Sequence, residues 1–135
     1  MKFLQPVFRG LLVLWAGSLW SLLWVAATLF QLQSDRHSAG LIAGRLFSIE
    51  TYLGLGVAAI ASLLPNRARF RLGFAAAAVL CANEWLLKRA MSAAQTHGSA
   101  LALSFGAWHG LSATLYLIAC VCVLIMIYKN EIHHA

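Results

Sequence analysis

The sequence predicts an all-α, polytopic membrane protein whose four transmembrane helices form an antiparallel bundle. Three observations predict it. Of 135 residues, 61% are hydrophobic and 10% charged, with a mean hydropathy of +0.79. A soluble domain draws roughly a quarter of its residues from Asp, Glu, Lys and Arg, so too little polar surface remains here to coat a water-soluble globule. The apolar residues gather into four runs, at about 7–32, 41–64, 70–91 and 99–128, and about 20 apolar residues cross the hydrocarbon core. Finally, the basic residues that give the net charge of +6 sit in short clusters between these runs, a sign of membrane orientation and not of a nucleic-acid face.

The first run carries one charge, Arg9, near its start. It is too long for a secretory signal core of about 7–15 residues, and no small-x-small cleavage site comes after it, so it is expected to remain as the first span. The second run contains Arg45 and Glu50 and stops at Pro65-Asn66, because the residue before a proline is pushed out of the helical region. The third is uncharged only from Leu72 to Asn83, with Glu84 and Lys88 beyond, and is the weakest span. The fourth is interrupted only by His109 and is long enough to cross with tilt. An even number of spans puts both termini on one side. Assigning them to the cytoplasm places Lys2, Arg9, Arg67, Arg69, Arg71 and Lys129 inside and Arg36, Lys88 and Arg89 outside, as the positive-inside rule prefers. The connections are short, which favours up-down-up-down neighbours.

At about 1.5 Å of rise per residue, Arg45, Glu50, Glu84, Lys88 and His109 all reach the outer half of the bundle, from three different helices. An ionisable side chain in a membrane is costly without a partner, so this level is the candidate site. Arg45 and Glu50 lie roughly 140° apart around their helix and are poor partners for each other, so each is expected to find its counter-charge on another helix. Glu84 and Lys88 make a favourable i,i+4 pair, and Lys88 can also snorkel to the interface. These residues support two readings, a ligand or proton site and an interhelical structural lock. His109, Ser112 and Tyr116 share one face of the fourth helix, where His109 serves either packing or chemistry as a titratable group or a metal or haem ligand. Gly106 and Gly110 form a GxxxG pattern through which another backbone can approach. The five tryptophans are read as amphipathic rings near the interface.

His37, His97 and His109 are the candidates for a metal or haem, and His133-His134 would make only a loose terminal site. Cys81, Cys120 and Cys122 all lie inside apolar runs, and their spacing gives no disulfide framework or cysteine zinc site. There is no Walker loop, dinucleotide fingerprint, HExxH or nucleophile elbow, which argues against hydrolytic or nucleotide-driven enzymology.

The segments Trp15-Ala16-Gly17-Ser18-Leu19-Trp20, Ala43-Gly44-Arg45-Leu46-Phe47 with Tyr52, and Phe105-Gly106 through His109-Gly110 to Ser112 and Tyr116 carry a resemblance. The chain resembles the bacterial membrane family called domain of unknown function 4149, similar to eukaryotic transmembrane protein 205. The resemblance covers nearly the whole length and is loosest around Asn83-Glu84-Trp85. It implies a four-helix inner-membrane protein of unassigned biochemistry. More distantly the chain looks like the copper-resistance D proteins and the haem-associated HemJ-type membrane oxidases, although paired intramembrane histidines and a methionine-rich copper track are both missing from the sequence.

Three functions compete. The first is small-ligand, ion or metal handling through a polar cavity formed by Arg45, Glu50, Glu84, His109, Ser112 and Tyr116. The second is a non-catalytic assembly subunit whose glycine faces meet a second copy or a membrane partner. The third is a haem-binding redox protein with His109 and either His37 or His97 as axial ligands.

Overall fold

The computed structural model describes residues 4–64 and 70–132 and, within them, the side chains of all but residues 4, 5, 36, 37 and 130–132. Lys2, the Pro65-Asn66 stop, Arg67, Arg69 and His133-His134 lie outside the described residues, as do the side chains of Arg36 and His37.

The described residues are almost all helical and contain no strand. Helix α1 spans Leu4–Leu32 and α2 spans Arg36–Ser62. The third helix runs on as α3 (Arg71–Ala82), a π-helical segment (Asn83–Leu87) and α4 (Lys88–His97). Helix α5 spans Phe105–Ile132. Pro6–Leu32, Ser38–Ser62 and Phe105–Lys129 are each long and apolar enough to cross a membrane. The third helix is apolar only in its first part, since α4 is rich in polar residues.

Three boundaries differ from those expected of the apolar runs. Helix α2 begins five residues before Leu41, because Asp35 caps it: the Asp35 carboxylate accepts the Ser38 N–H at 3.3 Å and the Ser38 hydroxyl at 2.5 Å. The third helix continues past Met91 to His97, and α5 starts only at Phe105. Between them, Gly98 ends the helix at φ +80°, and Ala100 and Leu103 exchange two backbone hydrogen bonds of 3.0 Å around Leu101 and Ala102, at φ 49° and 62°. The Trp108 indole N–H fastens this turn by donating to the Ala100 carbonyl at 3.0 Å.

The four helices form a square. Helices α1 and α5 are neighbours, α2 packs on both α1 and α3, and α3 packs on α5. Neighbours run antiparallel, with Gly54 against Trp15 and Leu80, and Gly73 against Met126. On α1 the buried residues Phe8, Leu12, Trp15, Leu19 and Leu22 recur every three or four positions, an apolar stripe down one face. It meets Tyr116, Ala119, Cys120, Val123 and Met126 of α5, while α3 contributes the small residues Gly73, Ala76 and Ala77, and Leu80. Phe8 and Phe70 close the end that holds the termini with an edge-to-face contact, centroids 4.7 Å apart.

The tryptophans do not form one interfacial belt. Trp24 and Trp85 are exposed, but Trp15 fills the core above Gly54, and Trp108 is buried under the 100–103 turn. The close approach expected at Gly106 and Gly110 is absent among the described residues: a Cβ at Gly110 would meet nothing within 4 Å, and one at Gly106 would just touch Ser104. Gly54 and Gly73 bring helices together instead.

Candidate functional site

Away from the terminal end the square opens. Gly40 and Gly44 on α2 face empty space, with nothing within 4 Å of where a Cβ would stand. A cleft in two lobes of about 780 and 310 Å³ lies there, both lobes sharing Phe30, Gly44, Phe47, Lys88, His109 and Ser112. Its walls are apolar, with the phenylalanines supplied by α1, α2 and α5. Its polar groups come mainly from the π segment and from the residues facing it.

The π segment sets this arrangement. The Lys88 N–H reaches back five residues to the Asn83 carbonyl. A π turn inserts one residue, which rotates the remainder of the helix, α4, by about 100° relative to an unbroken α-helix. Two side-chain groups hold it. Ser112 Oγ donates to Asn83 Oδ1 at 2.6 Å, and Asn83 Nδ2 donates to the Ser112 carbonyl at 3.3 Å, which latches the segment to α5. Toward α2, Lys88 Nζ donates to Glu84 Oε1 and to Ser48 Oγ, and Ser48 Oγ donates to Glu84 Oε1, all at 2.8 Å. Ser48 lies 2.9 Å from the Gly44 carbonyl as well. The result is a closed triangle of an ammonium, a carboxylate and a hydroxyl. The Lys88 side chain is 47% exposed and that of Glu84 is 15% exposed, so the ammonium faces the opening and the carboxylate lies behind it.

His109 stacks on Phe105, rings 6.1 Å apart and inclined by 16°, and lines both lobes. Tyr116 forms part of the floor of the inner lobe; its hydroxyl donates to the Leu19 carbonyl at 3.0 Å, and its ring meets Phe47 edge-on at 4.7 Å. Glu84, His109, Ser112 and Tyr116 are thus brought to one cavity, as their helical spacing predicts. Arg45 does not join them. It is exposed on α2 and makes no ion pair with Glu50 or Glu84 among the described residues. Glu50 is buried and lines neither lobe. Its expected cation on another helix is absent among the described residues.

Ser48 and Asn83 were not expected in the site, and Lys88 was expected only as the partner of Glu84 or as a snorkelling cation. The available signal was a polar side chain inside an apolar run, which for Ser48 is weak because serine can satisfy itself on its own helix by bonding the carbonyl four residues back.

The His37 side chain lies outside the described ones. No three His, Cys, Asp or Glu side chains converge among the described residues. His97 is exposed at the end of α4, and His109 is stacked on Phe105. Compared with known proteins, the chain matches no family model, and no curated protein or solved structure is significantly similar to it.

Proposed function

We propose that this chain is a polytopic protein of the bacterial inner membrane, both termini cytoplasmic, that handles a small amphipathic ligand or an ion in a cleft open to the outer side. Three helices long and apolar enough to span support the membrane setting. Arg9, Arg71 and Lys129 near the terminal end support the orientation. The sequence resemblance to domain of unknown function 4149 would imply the same setting.

The observation that carries the ligand reading is the cleft of about 780 Å³ beside the Lys88–Glu84–Ser48 triangle. A largely apolar pocket with a few convergent polar groups is the usual form of a small-molecule site. The phenylalanine walls suit an apolar body, and the Lys88 ammonium suits an anionic or carbonyl head. His109 adds an imidazole that can donate or accept a hydrogen bond.

Gly44→Leu tests this reading, because it fills the cleft where nothing stands within 4 Å of the new side chain's root. Native mass spectrometry of the full chain in mild detergent is expected to show a small molecule bound to the parent and lost from a folded Gly44→Leu protein. Equal retention by both, or a parent without any bound molecule, overturns the ligand reading. The second reading, an assembly subunit, is favoured by the open Gly106 and Gly110 face. It predicts that Gly110→Leu breaks a larger complex while leaving the cleft's occupant in place.

A further inference from the structure

Beneath the cleft lies a carboxyl group that the proposed ligand site does not use. Glu50 is 4% exposed, and its Oε2 has no hydrogen-bond partner among the described residues. No Lys, Arg or His lies within ion-pair distance of it there. The titratable groups that act on it are Tyr116 and Cys120 of α5, both uncharged as phenol and thiol. From α1 it faces Ser18, which carries no charge. On the third helix, Glu84 and Lys88 are engaged with each other at 2.8 Å, and Arg71 is exposed near the terminal end.

The hydroxyls around Glu50 have their protons committed elsewhere. Ser18 donates to the Trp15 carbonyl at 2.8 Å, Thr51 to the Phe47 carbonyl at 3.0 Å, and Tyr116 to the Leu19 carbonyl at 3.0 Å. Each hydroxyl has one proton to give; Ser18 is the one that hydrogen-bonds the carboxyl, and Oε2 is left without a donor. The buried indole N–H groups of Trp15 and Trp20 make no hydrogen bond either. An ionised carboxylate buried without a cation, and with one oxygen lacking any donor, is costlier than the neutral acid.

We propose that Glu50 is a proton-binding site, occupied by a proton at neutral pH and exchanging it reversibly with water. It stands whether or not the cleft takes a ligand. Thr51, the next residue on α2, and Tyr116 both line the inner lobe of the cleft.

Infrared spectroscopy of the full chain in detergent reads the C=O stretch of a protonated carboxyl directly. At neutral pH this band is expected in the parent, shifted by carboxyl-13C glutamate, unchanged in Glu84→Gln and lost in Glu50→Gln. Raising the pH should remove it reversibly while circular dichroism stays constant. Should Glu50→Gln fail to fold, the isotope shift together with an unchanged band in both Glu84→Gln and Glu131→Gln still assigns it. Absence of the band at neutral pH means an ionised Glu50 and overturns the proposal. A band that survives alkaline pH in the folded protein shows a fixed structural acid and overturns it as well, and a band lost on adding sodium at constant pH reassigns the site to a metal cation.

Discussion

Helix approach at Gly54 can be set against two other glycines that differ only in what surrounds them. A Cβ at Gly54 would stand 2.9 Å from Trp15 Cζ2 and 3.3 Å from Trp15 Cε2, with Leu80 Cδ1 at 3.4 Å. The indole is a rigid, buried plate, so helix or ring must move, and such overpacking costs about 1–3 kcal/mol. Replacing a helical glycine by alanine returns roughly 0.5–1 kcal/mol of propensity, which leaves Gly54→Ala destabilised by up to about 2.5 kcal/mol. At Gly73 the clash is nominally tighter, 2.8 Å, but the obstacle is Met126 Sδ, part of an unbranched side chain that can re-rotamer. Gly73→Ala is therefore expected within about 0.5 kcal/mol of the parent, the propensity gain offsetting the rearrangement. Gly44→Ala meets nothing and should gain up to about 1 kcal/mol. Unfolding in mixed micelles with added dodecyl sulfate, monitored by circular dichroism, measures all three. The predicted order of stability is Gly44→Ala, then Gly73→Ala, then Gly54→Ala, and Trp15→Phe should narrow the Gly54 loss in a double-mutant cycle. Equal stability of the Gly54 and Gly44 variants would refute the packing argument.

The Asn83–Ser112 latch predicts that Ser112→Ala costs about 1–3 kcal/mol, because it orphans a half-buried Asn83 carbonyl oxygen, with Asn83→Leu plus Ser112→Ala costing less than the sum of the single changes in the same unfolding assay. Leu101 and Ala102 occupy the left-handed region, which costs an ordinary residue about 1–2 kcal/mol, so Leu101→Asn with Ala102→Gly should raise the unfolding midpoint; an unchanged or lower midpoint contradicts the turn geometry. Lys88→Met removes a partly exposed ion pair worth at most about 1 kcal/mol, so it should leave stability nearly intact while weakening retention of any molecule seen in the parent by native mass spectrometry.

The helices were legible because apolar residues cluster in long runs and a charge inside such a run is rare enough to mark a level. That is why spacing alone put Glu84 and His109 at one level and Ser112 and Tyr116 on the face of His109, although the same spacing put Arg45 and Glu50 there too. The extension of α2 back to Arg36 depends on a cap at Asp35, which reads equally well as part of a polar loop. Helix α4 is helical without an apolar run, so hydropathy stopped at Met91. The 100–103 turn places Leu and Ala at positive φ, against their own preference, and no residue type announces it. Glycine spacing could not show which glycines pack, since Gly54 and Gly73 depend on Trp15 and Met126 from other helices. The partner expected for Arg45 failed for a similar reason: a helix face shows which residues could meet, and at position 45 the side chain points outward.

The central claim is a bundle closed at its terminal end and open to the outside at the other. Single cysteines introduced at Gly44 and Ala61, with Cys81, Cys120 and Cys122 replaced by alanine, test it most directly when a membrane-impermeant maleimide is added to intact cells stripped of the outer membrane. Gly44 faces the cleft, whereas Ala61 is 3% exposed in the closed end. The expected result is labelling of Gly44→Cys from outside and protection of Ala61→Cys until the protein is unfolded. Protection of Gly44→Cys from outside, or labelling of Ala61→Cys there in the folded protein, would contradict the open outer cleft and the orientation together.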